Sequence, residues 1–152
     1  TGGVYKKNTS AGLPGEHVAC LDAQSGKVLW KYFWPDVSSH TCASPAAMLG
    51  NLYVFSWDRT VTCFDQKTGA VKWSGKSKAA WGDTAYTSPA AADGRLIIGN
   101  EIWDAQTGKI IQTLDFPRAG KFVRAVIANG RIYLFSSDIR KEIGDWLAAY
   151  GE

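Results

Sequence analysis

The chain has 152 residues, of which 45% are hydrophobic and 20% charged, and its net charge is +3 at pH 7. This is the composition of a globular domain that can bury a core, and it excludes a disordered segment. The cations are scattered, so no nucleic-acid footprint is indicated, and no apolar run reaches the roughly 20 residues of a membrane-spanning helix.

The first predicted element is a β-hairpin at residues 18–30 (VACLDAQSGKVLW), and its phrase returns at 61–73 (VTCFDQKTGAVKW) and 102–112 (IWDAQTGKIIQ). In the first two copies, the residues before the aspartate alternate like a half-buried strand. The aspartate can accept backbone N–H bonds within the turn, and the glycine four positions later supplies a positive φ. We interpret the repeated residues as turn-builders and packing residues rather than catalytic groups: Asp22, Gly26, Trp30, Asp65, Gly69, Trp73, Asp104 and Gly108.

A second signature precedes each later copy of the hairpin, at residues 44–56 (SPAAMLGNLYVFS), 88–100 (SPAAADGRLIIGN) and 124–136 (RAVIANGRIYLFS). Each is a small-residue strand, a two-residue turn ending in glycine, and an apolar strand. Asp93-Gly94 and Asn129-Gly130 are strong hairpin signals. The two signatures together make four antiparallel strands, and the aspartates recur after 43 and 39 residues. That is the period of a propeller blade, so the predicted fold is an all-β propeller.

The tryptophans that close the first two phrases, Trp30 and Trp73, are suited to filling the seam between adjacent blades. The third phrase has Gln112 at this place, so we expect the third seam to be packed differently.

These phrases resemble the tryptophan-docking repeat of the PQQ-like, or quinoprotein-type, propeller family. The resemblance covers nearly the whole chain, which would hold about three and a half of the seven or eight blades usual in that family. Residues 1–34 would end one blade, 38–75 and 83–116 would form two blades, and 121–152 would begin another. We expect a segment of a longer protein, the alternative being a ring completed by a partner chain.

In a propeller, the connections between blades and the second turn within each blade share the face where ligands usually bind. The loops predicted on that face are 35–40, 57–60, 76–83 and 137–145. Trp57 and Trp81 could serve as flat platforms for a planar ring, and Arg59 and Asp83 could bond to carboxylates or hydroxyls. The alternatives are an ordinary tight turn with a solvated ion pair at 57–59, and a blade-packing role for Trp81.

Neither the histidines nor the cysteines form a metal-ligand pattern. His40 has no second ligand at a suitable spacing, so no metal site is predicted. Cys20, Cys42 and Cys63 show no CxxC spacing and no adjacent pair, and we interpret them as small buried hydrophobes whose disulfide state the spacing leaves open.

The resemblance implies two functions. The first, which we prefer, is a non-catalytic scaffold without a cofactor that binds other protein chains, or the missing blades, in the periplasm or outside the cell. The alternative is a segment of a PQQ-dependent alcohol or sugar dehydrogenase that uses PQQ and Ca²⁺ and passes electrons to a cytochrome. Enzymes of that type add metal ligands, an aspartate base and often adjacent cysteines. No such set can be matched onto this sequence, so no catalytic residue is predicted.

Overall fold

A computed structural model of the chain describes residues 17–34, 43–78, 87–115, 122–137 and 146–151. Every regular element in these ranges is a β-strand. In chain order they are β1 (His17–Leu21), β2 (Val28–Phe33), β3 (Ala46–Met48), β4 (Asn51–Phe55), β5 (Thr60–Asp65), β6 (Val71–Lys76), β7 (Ala90–Ala92), β8 (Arg95–Ile98), β9 (Glu101–Asp104), β10 (Ile110–Thr113), β11 (Phe122–Ala128), β12 (Arg131–Ser137) and β13 (Trp146–Tyr150).

The strands form four antiparallel sheets, each built from consecutive strands. The first sheet is β1-β2, the second β3-β4-β5-β6, the third β7-β8-β9-β10 and the fourth β11-β12-β13. The predicted all-β fold with four-stranded antiparallel blades is therefore confirmed. Within the described residues, no helix is long and apolar enough to cross a membrane.

Two-residue turns join the first two strands of the last three sheets. Leu49-Gly50, Asp93-Gly94 and Asn129-Gly130 all have positive φ at both positions, between 49° and 75°. This is the mirror-image turn whose twist matches that of the flanking strands. The Asp-Gly and Asn-Gly turns were evident in the sequence, whereas a leucine in the first left-handed position was not anticipated.

The core lies in the seams between neighbouring sheets. One cluster joins the first and second sheets, a second joins the second and third, and a third joins the third and fourth. Because β5 is covered on both faces, Val61, Thr62, Cys63 and Phe64 are all buried. The expectation that this strand is half-buried is wrong. Alternation with a period of two residues is typical of a strand with one solvent-exposed face, whereas both faces of β5 are covered.

Candidate functional site

The three repeated aspartates organise their own turns. In each, one carboxylate oxygen accepts hydrogen bonds from the backbone N–H and the hydroxyl of the residue three positions on: Ser25 for Asp22, Thr68 for Asp65 and Thr107 for Asp104, at 2.7–3.0 Å. These bonds stabilise the ionised form and lower all three pKa values, that of Asp65 to about 2. The turn glycines, Gly26, Gly69 and Gly108, have φ of 69°, 74° and 70°.

Trp30 and Trp73 make the same contact with the following blade. Trp30 Nε1 donates to the carbonyl of Gln66 (3.0 Å), and a Cβ at Gly69 would lie 2.6 Å from the Trp30 ring. Trp73 Nε1 donates to the carbonyl of Ala105 (3.2 Å), and a Cβ at Gly108 would lie 2.5 Å from the Trp73 ring. Each indole also stacks on an aromatic ring of the following sheet, Phe64 at 6.2 Å and Trp103 at 6.5 Å between centroids. The indole therefore lies directly on a turn that only glycine leaves open.

The third seam is packed by aliphatic residues. Gln112 pairs with Ile102 in the third sheet, just as Trp73 pairs with Cys63 in the second. The side chain of Gln112 is exposed. The seam is filled by Ile97, Leu114, Val123 and Leu134. Tyr150 adds a hydrogen bond from its hydroxyl to the carbonyl of Asp115, at 2.6 Å.

Glu101 is a buried carboxylate that the sequence patterns do not single out. Only 1% of it is exposed, and it accepts hydrogen bonds from Ser77 Oγ (2.7 Å), the backbone N–H of Lys78 (2.8 Å) and Trp103 Nε1 (3.1 Å). It thereby ties the segment after β6 to the third sheet. One signal for it was present in the sequence. Three residues before the repeated aspartate, the other two copies have Ala19 and Thr62, whereas the third copy has a carboxylate at this position.

Of the four candidate ligand-binding residues, Trp57 and Arg59 lie in the turn between β4 and β5. The other two, Trp81 and Asp83, lie outside the described residues, and so do His40 and Cys42. Trp57 is 42% exposed. Arg59 has a φ of 67°, in the left-handed region that favours glycine. Its backbone N–H donates to Ser56 O and its carbonyl accepts from Ser77 N–H, both at 2.9 Å. Hydrogen bonds to the N–H and to the carbonyl of Arg59 therefore fix the conformation of the turn.

The carboxylate in this turn is engaged by a lysine. Asp58 forms an ion pair with Lys76 at 2.8 Å rather than with its neighbour Arg59, and it accepts two hydrogen bonds from Thr60. Burial acts to raise the pKa of Asp58, but the bonds from Lys76 and Thr60 outweigh it and the pKa is lowered. Within the described part of the chain, the Arg59 guanidinium has no ion-pair partner.

A cavity of about 500 Å³ opens at the opposite ends of the strands, in the seam between the second and third sheets. Its lining includes Met48, Leu49, Tyr53, Lys72, Trp73 and Arg95. Cys63 also borders it as a free thiol, and burial raises the pKa of that thiol to about 11. The sequence predicts ligand binding on the other face of the blades, and no pattern in it indicates this cavity.

The described residues contain no group of three or more His, Cys, Asp or Glu side chains that could hold a metal ion. At the expected ligand face they offer an aromatic ring at Trp57 and a cation at Arg59.

A family model described as outer membrane protein assembly factor BamB matches residues 14–101, more than half of the chain. A curated relative, the quinohemoprotein alcohol dehydrogenase ADH-IIG of Pseudomonas putida, is 29% identical over 119 residues, 63% of this chain and 16% of that protein. Two solved structures share the fold at 18% identity. BamB from Moraxella catarrhalis has a TM-score of 0.64 over 89% of this chain and 40% of its own. The quinohemoprotein alcohol dehydrogenase of Comamonas testosteroni has a TM-score of 0.60 over 75% of this chain and 20% of its own. The chain thus spans less than half the length of these relatives.

Proposed function

This chain belongs to the PQQ-like repeat family of β-propellers, and from that premise we propose that it is part of a non-catalytic module that binds other proteins outside the cytoplasm. The matching family description, an outer membrane protein assembly factor, supports both the role and the location.

The observation that carries the proposal is the conformation of Arg59. A left-handed backbone conformation costs a non-glycine residue roughly 1–2 kcal/mol. Backbone strain of this kind clusters at functional sites. Here the strained residue is an exposed arginine, two positions along the same turn from Trp57, which is 42% exposed. Arginine and tryptophan are among the residue types that are enriched at the centres of protein interfaces.

The test is site-specific photo-crosslinking in the intact protein in its own cells. A photoreactive phenylalanine replaces Trp57, and a control replaces Ile111, which is 50% exposed on the outer strand β10. We expect a discrete adduct with an identifiable extracytoplasmic protein at position 57, lost in the Arg59→Gly background, and none at position 111. Adducts that survive Arg59→Gly, or no adduct at position 57, would refute the proposed site.

The second candidate, a segment of a PQQ-dependent dehydrogenase, is favoured by the 29% identity to the Pseudomonas putida enzyme. The described residues do not make up a site for PQQ with Ca²⁺. The carboxylate of the turn, Asp58, is already bound by Lys76 and Thr60, and no cluster of three metal-ligating side chains lies within the described ranges.

A thermal-shift measurement on the intact protein distinguishes the two candidates. A ligand that binds only the folded state raises the melting temperature by mass action. The scaffold proposal predicts no shift with PQQ and Ca²⁺ together, and a saturable rise would favour the dehydrogenase.

A further inference from the structure

Leu49 combines two unfavourable properties. It is a large apolar side chain that is 83% exposed, and it has a φ of 50° in the first position of a mirror-image turn. The two equivalent turns have Asp93 and Asn129 at this position, which are polar and tolerate left-handed backbone. The turn geometry therefore does not require a leucine at this position.

Leu49 stands at the edge of the cavity between the second and third sheets. Met48, Tyr53 and Trp73 form apolar walls of the same cavity. The Tyr53 hydroxyl is satisfied internally, because it accepts from Asn51 Nδ2 (3.1 Å) and donates to the carbonyl of Ala105 (3.3 Å). The volume of about 500 Å³ is in the range of binding pockets and exceeds that of one apolar side chain.

Cations flank the apolar walls, one from each blade. Lys72 bonds to Asn51 Oδ1 (2.6 Å) and pairs with Asp65 (3.2 Å), and its side chain is 44% exposed. Arg95 is 51% exposed and forms an ion pair with Asp104, which also lines the cavity, at 3.6 Å, a separation too long for a hydrogen bond. Arg95 can therefore turn to a better-placed carboxylate and bind it through two parallel N–H groups.

From this geometry we infer that the cavity, with Leu49 as its apolar rim, is a docking groove for an extended segment of a partner protein in which an apolar side chain is flanked by carboxylates. The apolar side chain enters between Leu49, Met48 and Trp73. The carboxylates meet Arg95 and Lys72. The inference extends the proposed protein-binding role to the opposite face of the blades, and its failure would leave the adducts expected at position 57 unaffected.

The chain contains a single methionine, so ¹³C-methyl labelling of Met48 places one NMR reporter in the groove. The intact protein is titrated with the peptide acetyl-Gly-Asp-Leu-Asp-Gly-amide, and the resonance is assigned with Met48→Leu. We expect a saturable shift with a dissociation constant in the millimolar range, as is usual for so small a ligand. The peptide with both Asp replaced by Lys should bind at least roughly tenfold more weakly, and that with Leu replaced by Ala about tenfold more weakly.

The variant Leu49→Asn separates binding from folding. It installs the residue of the equivalent turn at Asn129, so we expect the melting temperature to rise by roughly 2 °C or more, while peptide affinity falls about fivefold or more. Leu147→Asn, which removes another leucine that is 71% exposed, is the control and should leave affinity unchanged. The inference is overturned if the Met48 methyl shows no saturable shift, if the Lys peptide binds as well as the Asp peptide, or if Leu49→Asn retains full affinity.

Discussion

The contact between Trp73 and Gly108 can be tested by adding one methyl group. In Gly108→Ala, the new Cβ would lie 2.5 Å from the Trp73 ring, well inside contact distance. The indole is poorly placed to yield, because its Nε1 bonds to the carbonyl of Ala105 and its ring stacks on Trp103 with an interplanar angle of 9°. Gly26→Ala provides a matched control. Gly26 has nearly the same φ, 69° against 70°, and no described atom within 4 Å of its added Cβ.

The expected costs differ because, among the described residues, a tryptophan lies over Gly108 and none lies over Gly26. Left-handed strain costs alanine roughly 1–2 kcal/mol at either position. At Gly108, overpacking adds about 1–3 kcal/mol, and the displaced indole loses a hydrogen bond worth about 1 kcal/mol. We therefore expect Gly108→Ala to lower the free energy of unfolding by about 2–4 kcal/mol more than Gly26→Ala does.

Urea unfolding of the intact protein measures this difference directly. A third variant isolates the cause. In the Trp73→Ala background, Gly108→Ala should cost only the strain, so the two substitutions should show a coupling energy of about 2 kcal/mol or more. Equal destabilisation by Gly108→Ala and Gly26→Ala, or additive costs in the double variant, would show that the indole does not lock the seam.

Three further predictions concern individual side chains. Glu101→Ala should destabilise the protein by about 2–4 kcal/mol, since it leaves buried donors without an acceptor, and Glu101→Gln should cost less; urea unfolding compares the two. The pKa of the Asp65 carboxyl is lowered from 3.8 to about 2. The stability that the ionised carboxylate gives to the folded protein is therefore fully present above pH 3.8 and is lost as the pH falls through about 2. Asp65→Asn should flatten this part of the curve of melting temperature against pH. Cys63 is buried and the pKa of its thiol is raised to about 11, so it should be less reactive than half-buried Cys20. In a Cys42→Ser background at pH 8, we expect Cys63 to react with a disulfide reagent at least roughly tenfold more slowly than Cys20. Equal rates would contradict the burial of Cys63.

The blade pattern was legible in the sequence because it is local. The contacts of Asp65 with Thr68, and the positive φ of Gly69, lie within five consecutive residues, so residue type and spacing suffice to predict the turn. The strand order follows equally, since short hairpins leave neighbouring strands no other partner. At Leu49 the local pattern was not sufficient: it predicted a two-residue turn ending in Gly50, but neither the left-handed leucine nor its place beside the cavity.

The sequence by itself determined the repeat, the hairpins and the antiparallel blades, since these depend on residues that lie close together along the chain. Tertiary structure decided what lies in the seams: that β5 is buried on both faces and that Glu101 accepts bonds from the segment after β6. Within the second sheet, it also decided that Asp58 pairs with Lys76 instead of Arg59. It also placed the cavity beside Leu49, on the face opposite the expected one. The physical reason is distance along the chain. A seam joins residues 24 to 52 positions apart, and no pattern within one blade specifies which side chain of the next will meet it.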